Sequence, residues 1–219
     1  MRDIAKFIAG FKRFRENYFG SNRELYEQLK QGQHPRALVV GCSDSRVDPA
    51  ILMGSDPGDI FAVRNVANLV PPCEEGGGLH GVSAALEFAV CSLEVEHIIV
   101  LGHSQCGGIR ALMEGACGCE NGGFIANWMR IAKPARDKVE AELPHKPFDI
   151  RTRACEQASV LLSLDNLMTF PWIRQRVEAG TLHLHGWYFD IGQGELLGYS
   201  PAGKAFESLT TFSGAERRY

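Results

Sequence analysis

The chain has 219 residues, of which 45% are apolar and 22% charged, and its formal net charge is −3. That apolar content is enough for one substantial core, and the near-neutral charge argues against nucleic acid or an anionic membrane surface as a partner. The sequence has no run of about eighteen apolar residues that would predict a membrane span, and residues 1–18 lack an apolar signal core and a cleavage site. We therefore expect a cytoplasmic protein that acts on a small molecule.

The seven cysteines are an odd number without regular short spacing, which argues against a disulfide scaffold. A reducing compartment, with some of the thiols bound to a metal ion, is the simplest interpretation. Cys117 and Cys119 lie in a glycine-rich segment, residues 116–123, and their role stays open between metal binding, oxidation and no function.

The chain begins with a predicted helical arm over residues 1–33. Apolar residues recur there at helical spacing between lysines and arginines, at Ile4, Phe7, Ile8, Phe11 and Phe14. A second helix is predicted over residues 22–31. We expect a single domain over residues 1–219, in which the arm precedes an α/β core at residues 34–219.

The first half of the predicted core alternates strands with a helix. Short apolar runs bounded by proline, glycine or polar residues predict strands over residues 36–42, 59–64 and 96–102. Helical periodicity over residues 81–93 separates the second strand from the third. Strand, helix, strand is the signature of a parallel sheet.

The second half contains further helices, predicted over residues 124–131, 134–142, 151–168 and 171–179. Residues 181–190 and 195–199, separated by glycines, predict a hairpin. The resulting fold class is α/β, with a central, mostly parallel sheet of about four parallel strands plus a C-terminal antiparallel strand, flanked by helices.

Reactive side chains follow the predicted strands at their carboxyl ends, where ligands bind in parallel sheets. Cys42 ends the first strand, and His103 and Cys106 follow the third, while the second ends at Arg64 and Asn65. Adjacent strands would bring Cys42 beside His103 and Cys106. Two thiolates and one imidazole suit tetrahedral zinc, and three protein ligands leave the fourth position open, as in a catalytic site.

The loop after the first predicted strand carries a carboxylate and a guanidinium two residues apart, Asp44 and Arg46. A bidentate pair between them would hold Asp44 ionised and away from the metal. Asp44 could then accept a hydrogen bond from a hydroxide on the zinc and orient it. A simple salt bridge within the loop is the alternative.

The sequence Cys-Ser-Asp-Ser-Arg at residues 42–46, followed by His-Ser-Gln-Cys-Gly-Gly at residues 103–108, resembles the motifs of the β-carbonic anhydrases, in particular a bacterial-like form of their plant-type branch. The likeness extends to residues 32–35, 61–72 and 184–187 and so spans nearly the whole chain. It implies reversible hydration of carbon dioxide to bicarbonate and a proton by zinc-bound hydroxide, with a single zinc ion in each chain.

The resemblance also implies roles for individual residues. Cys42, His103 and Cys106 would bind zinc, and Asp44 and Arg46 would form the catalytic dyad. Further residues would surround the carbon dioxide pocket, namely Gln33, Phe61, Val66, Phe88 and Gly107. In the family the glutamine comes from the neighbouring subunit, so we expect a homo-oligomer, whether dimer, tetramer or octamer, with the N-terminal helices packing on a partner subunit.

Two other functions are compatible with the same residues. The zinc site could hydrolyse carbon disulfide or carbonyl sulfide, because access to the pocket decides which electrophile is attacked. A structural zinc or redox-sensing module fits less well, because a structural site more often recruits a fourth cysteine or histidine.

Four of the histidines outside the predicted metal site lie in predicted loops or on a predicted strand. His34 and His80 are candidates for carrying the released proton. His183 and His185 alternate on a predicted strand and so share a face, but no third ligand accompanies them in the sequence, and we interpret them as structural.

Overall fold

The computed structural model describes residues 2–74, 76, 78–116 and 123–210. Cys117 and Cys119 therefore lie outside the described residues. The chain forms two compact units, Met1–His34 and Pro35–Tyr219. The first unit is helical, and the second contains the sheet and the remaining helices.

The N-terminal unit consists of helix α1 (Arg2–Arg13), a π-helical turn (Phe14–Phe19) and helix α2 (Arg23–Leu29). Apolar side chains along α1 are exposed, with Phe7 at 70% and Phe11 at 62%. The unit is held in part by aromatic contacts, as between Phe19 and Tyr26, whose ring centroids are 4.6 Å apart. An exposed apolar stripe of this length is typical of a helix that packs on another surface.

In the described part of the chain, one sheet of six strands forms the centre of the second unit. The strands are β1 (Ala37–Cys42), β2 (Ile60–Asn65), β3 (His97–His103), β4 (His183–Asp190), β5 (Glu195–Ser200) and β6 (Ala205–Ser208). They lie in the order β2-β1-β3-β4-β5-β6. The first four are parallel and the last two are antiparallel, which confirms the predicted α/β class with a mostly parallel sheet.

Strand β6 is an addition to the prediction, which had a single antiparallel strand. It has 4 residues and pairs with β5, with Phe206 opposite Tyr199. A segment this short carries too little periodicity to be recognised as a strand from sequence.

The helices of the second unit are α3 (Pro49–Met53), α4 (Gly81–Glu87), α5 (Gly107–Glu114), α6 (Phe124–Met129), α7 (Lys133–Glu142), α8 (Phe148–Leu167) and α9 (Pro171–Glu178). Helix α4 continues as a π-helical turn, Phe88–Ser92, and single 3₁₀ turns lie at Val66–Asn68 and Arg130–Ala132. Among the described helices, none combines the length and apolar content needed to cross a bilayer.

Both faces of the central strands are buried. One face packs against α4, α8 and α9 through side chains of β1 and β3 that are 0% exposed, namely Leu38, Val40, Ile98 and Val100. The opposite face carries a smaller core, in which α3 covers Val39, Ile99 and Leu101. Because a strand buried on both faces needs apolar residues at successive positions, β1 and β3 are near-continuous apolar runs, and both were predicted for that reason.

The register of β1 and β3 brings the chain's reactive residues to one edge of the sheet. The two strands are adjacent and parallel, with Gly41 opposite Leu101. Cys42 and His103 are their last residues, and Cys106 directly precedes α5. The carboxyl edge therefore carries the residues expected to bind metal.

Candidate metal centre

Three buried side chains meet at the carboxyl edge of β1 and β3. The sulfur atoms of Cys42 and Cys106 and a ring nitrogen of His103 all lie within 4.8 Å of one another. The three residues are 5%, 2% and 1% exposed respectively. In residues 2–74, 76, 78–116 and 123–210, no other three His, Cys, Asp or Glu side chains meet that distance. The structure therefore brings together the three predicted ligands.

The tautomer of His103 is set by its neighbour. Its Nδ1 lies 2.9 Å from the backbone oxygen of Ser104, which can only accept, so Nδ1 donates. Nε2 then carries a lone pair. Nε2 is buried and has no hydrogen-bond partner among the described residues. A buried lone pair beside two thiols fits a metal ligand, and the Nδ1 hydrogen bond is the kind of contact that orients such a ligand.

Ionisation of one of the two thiols disfavours ionisation of the other. A hydrogen bond from Cys106 lowers the pKa of Cys42, with a smaller contribution from His103, although burial opposes the shift. The hydrogen bond to Cys42 and burial raise the pKa of Cys106. A divalent cation between them would stabilise both thiolates. Two thiolates and one neutral imidazole are a donor set suited to zinc, so these residues fit the ion that the sequence predicts.

Asp44 and Arg46 form a bidentate pair beside this cluster. Arg46 Nε and the backbone N–H of Arg46 both donate to Asp44 Oδ1 at 2.9 Å, and Arg46 Nη2 donates to Oδ2 at 2.7 Å. The Arg46 guanidinium holds the pKa of the Asp44 carboxyl well below its usual range, against a smaller opposing effect of burial. Arg46 Nη2 also donates to the backbone oxygen of Gln105 at 3.0 Å, so the pair links the loops after β1 and β3.

Arg64 holds the loop that carries Asp44, a role that the sequence analysis missed. Its Nε donates to the backbone oxygen of Cys42 at 2.9 Å and its Nη2 to that of Asp44 at 2.7 Å. Its Nη1 pairs with Asp48 Oδ2 at 2.9 Å. One indication of this role was available from the sequence, which was the position of Arg64 at the end of a predicted strand. In the sheet that strand lies beside β1, and Arg64 lies opposite Gly41.

Glu156 of α8 supports the loop that carries Cys106, and it was also missed. Its Oε1 accepts the backbone N–H of Cys106 at 3.0 Å, and its Oε2 accepts the Tyr188 hydroxyl at 2.6 Å. Glu156 is 3% exposed and Tyr188 is 0% exposed. Burial raises the pKa of Glu156, and its hydrogen bonds with Tyr188 and Cys106 act in the opposite direction.

The predicted pocket residues fall into separate places. Val66 packs in the same apolar cluster as Cys42 and Cys106, and Gly107 is the first residue of α5. These two lie beside the ligand residues within one chain.

Phe61 and Phe88 contact each other elsewhere, with ring centroids 5.7 Å apart. Phe61 is four residues before Asn65, the end of β2, which places it about 13 Å along the strand from the carboxyl edge. Phe88 is 46% exposed. Gln33 is exposed and belongs to the N-terminal unit.

Comparison with known sequences gives a consistent family. A family model described as carbonic anhydrase matches residues 37–196. The chain is 40% identical to a carbonic anhydrase of Synechocystis sp. over 196 residues, which cover 90% of this chain and 71% of that protein. It is 43% identical to the chloroplastic beta carbonic anhydrase 5 of Arabidopsis thaliana over 181 residues, which cover 83% of this chain and 60% of that protein.

Solved structures agree with the sequences. The β-carbonic anhydrase CcaA matches with a TM-score of 0.89 at 38% identity, over 94% of this chain and 99% of that chain. A tetrameric β-carbonic anhydrase from Sordaria macrospora matches with a TM-score of 0.80 at 31% identity, over 90% of this chain and 97% of that chain. With a family match across most of the α/β core and a Cys/His/Cys cluster at its carboxyl edge, the chain belongs to the carbonic anhydrase family and, within it, to the β class.

Proposed function

We propose that the chain interconverts carbon dioxide and bicarbonate at a zinc ion held by Cys42, His103 and Cys106. The observation that carries this proposal is the convergence of the three buried donors within 4.8 Å. The unpartnered Nε2 of His103 provides the lone pair that such an ion requires. When bound, zinc supplies a nucleophile at biological pH by lowering the pKa of water.

Asp44 acts in this proposal as an orienting acceptor. Because Arg46 keeps its carboxylate ionised, Asp44 can accept but not donate a hydrogen bond. Among the described residues, Oδ1 takes two hydrogen bonds from Arg46 and Oδ2 takes one, which leaves acceptor capacity on Oδ2. A proton-bearing nucleophile held by Oδ2 would keep a lone pair directed at the carbon of the substrate.

The apolar part of the pocket is completed, in this proposal, by a second copy of the chain. Val66 and Gly107 lie beside the ligands in one chain, whereas Phe61 and Phe88 lie toward the other end of β2. We assign those two phenylalanines, together with Gln33, to the site of a neighbouring subunit. A homo-oligomer is also supported by the exposed stripe on α1 and by the tetrameric relative from Sordaria macrospora.

The oligomer can be tested by light scattering after gel filtration. We expect a mass at least twice that of the 24.1 kDa chain. Replacement of Phe7 or Phe11 by serine should lower the mass, because it removes apolar contact area from the exposed stripe. A monomeric wild-type enzyme with full activity would contradict the shared site.

We also propose a cytoplasmic location. The support is chemical: the described cysteines, Cys42, Cys73, Cys91, Cys106 and Cys155, are free thiols, as expected in a reducing compartment. Cell fractionation tests this, and recovery of the protein in an oxidising compartment would contradict it.

The ligand assignment is tested by replacing one cysteine of the cluster and one outside it. Cys42→Ser should lose the zinc ion of the catalytic site, and with it carbon dioxide hydration, because a serine hydroxyl is a poor zinc ligand. Cys91→Ser is the matched control, since Cys91 is exposed and lies outside the cluster. Full activity of Cys42→Ser would overturn the assignment.

A further inference from the structure

Three histidine side chains meet at the amino edge of the sheet, where β3 and β4 begin. His97 lies directly opposite His183 in the parallel register of these strands. His185 follows two positions later on β4, so all three side chains share one face of the sheet. His97 is the third partner that the sequence alone did not place beside His183 and His185. We call these three residues the histidine cluster.

The rings of the histidine cluster are close enough to interact. His97 Nδ1 lies 3.1 Å from His185 Nε2. The ring centroid of His97 is 5.2 Å from that of His185 and 5.5 Å from that of His183. In a hydrogen bond between two neutral rings, one nitrogen donates and the other accepts through its lone pair. Both nitrogens therefore point into the cluster, and a metal ion would bind them in place of the shared proton.

The backbone beneath the cluster is fixed by hydrogen bonds at the strand starts. The N–H groups of Glu96 and His97 donate to the backbone oxygen of Arg36, and the N–H of His183 donates to that of Glu96. His183 is exposed, while His97 and His185 are partly buried. A rigid backbone with one exposed ring permits an ion to enter, and the His183 ring can turn toward the other two without unpacking the core.

We propose that the histidine cluster binds a borderline divalent transition-metal ion through three imidazoles. His183 and His185 lie at alternate positions of β4, and His97 lies on the neighbouring strand β3. These three ligands would bind one side of the ion, and water would occupy its remaining positions. The turn of His183 is required, because the ligand atoms do not yet all lie within 4.8 Å of one another. Burial and the neighbouring histidines lower the pKa of His185, which favours the neutral form that binds metal.

This site is separate from the metal centre described above. His97 and His103 are the first and last residues of β3, so the two sites lie about 20 Å apart along the strand. The histidine cluster offers three imidazoles and the metal centre offers two thiolates. The cluster should therefore prefer Ni²⁺ or Cu²⁺ over the softer ions that thiolates select, and it should bind them more weakly than the metal centre binds zinc.

Titration of Ni²⁺ into the zinc-replete holoenzyme tests the proposal by calorimetry. We expect about one Ni²⁺ ion to bind per chain, with no zinc released into solution. The ring centroid of Trp187 lies 6.2 Å from that of His185. Bound Ni²⁺ should therefore quench part of the tryptophan fluorescence, and Trp187→Phe should abolish that quenching while leaving the calorimetric binding intact.

Substitutions locate the ion. His183→Gln and His97→Gln should each weaken Ni²⁺ binding at least about tenfold, because each removes one of three ligands. His183 is exposed, so its replacement leaves the packing of the sheet unchanged. His145→Gln is the matched control, since His145 is exposed and lies between α7 and α8. No Ni²⁺ binding to wild type, binding that survives both cluster substitutions, or binding that requires loss of zinc would each overturn the proposal.

Discussion

Asp44 receives three hydrogen bonds from Arg46, and its pKa is held well below the usual range of a carboxyl group. Asp44→Asn keeps the shape of the side chain but removes its charge and replaces one acceptor oxygen by an NH₂ group. We expect the rate of carbon dioxide hydration to fall about 10- to 100-fold while zinc content stays the same. Stopped-flow kinetics with metal analysis checks both quantities.

The matched control for that substitution is Asp165→Asn, because Asp165 is an exposed carboxylate on α8, outside the site. It should leave rate and zinc content unchanged. If Asp44→Asn also kept the wild-type rate, the pair with Arg46 would be a salt bridge of the loop and nothing more.

Glu156 acts through Cys106, as a positioning residue. Glu156→Ala leaves the buried N–H of Cys106 without its acceptor, so we expect zinc affinity to fall about 10- to 100-fold. Glu156→Gln retains an acceptor oxygen for that N–H and should restore most of the affinity. Competition for zinc with a chelator measures the difference, and equal affinities of the alanine variant and wild type would refute the positioning role.

The convergence of Cys42, His103 and Cys106 and the pairing of Asp44 with Arg46 could be predicted from sequence. Each of these residues ends a recognisable apolar strand or lies within four residues of the end of one. The role of Arg64 was signalled only by its position at the end of a predicted strand, and that of Glu156 was not signalled, because contacts between side chains and distant backbone groups leave no local pattern. Arg64 contacts Cys42 across 22 residues and Glu156 contacts Cys106 across 50 residues. Nothing in local periodicity reports that a buried carboxylate of α8 faces a particular backbone N–H.

At the scale of elements, Asp190 joins the parallel and antiparallel parts of the sheet. Its Oδ1 accepts the N–H groups of Gly192 and Gln193 in the turn after β4, and its Oδ2 pairs with Arg153 at 2.6 Å. Burial raises the pKa of Asp190, but the hydrogen bonds from Arg153 and the turn outweigh it and lower the pKa overall. A lowered pKa in the folded state means that this carboxylate stabilises the fold above its unfolded-state pKa and ceases to do so as pH falls through the folded-state value.

We therefore expect Asp190→Asn to lower the free energy of unfolding by about 1 kcal/mol at neutral pH, since Arg153 is partly exposed and its contribution is screened. The difference from wild type should shrink below about pH 4, where the unfolded carboxyl is protonated. Urea unfolding of both proteins at neutral and acidic pH measures this difference in the free energy of unfolding. A deficit of the same size at both pH values would show that charge is not the cause.

Helices and strands were easiest to predict where burial of their side chains requires a regular pattern of apolar residues. Both faces of β1 and β3 are covered, so their apolar runs are long enough to recognise. Helix α8 was predicted from residue 151, but it begins at Phe148, directly after Pro147. Its first turn is mostly exposed and carries little apolar periodicity, so the predicted start of the helix lies three residues after the observed start.

At the scale of the whole molecule, the resemblance named the pocket residues but not how far apart one chain holds them. Val66 lies beside the ligands, whereas Phe61 lies about 13 Å along β2 from the carboxyl edge. That separation follows from strand register, which sequence alone does not give. If Phe61 does line the pocket, it must come from a second copy of the chain, which is the basis of the proposed oligomer.

Stopped-flow hydration of carbon dioxide by the purified, zinc-replete protein tests the central claim most directly. We expect fast turnover that rises from neutral toward alkaline pH, because two thiolates and a neutral imidazole cancel the charge of zinc and leave less positive charge to acidify water than a three-histidine site does. The Asp44 carboxylate is ionised over this whole pH range, so its titration should not contribute to the pH dependence of the rate. Zinc-loaded protein without turnover would contradict the proposed activity, and a profile flat from mildly acidic pH upward would contradict its electrostatic basis.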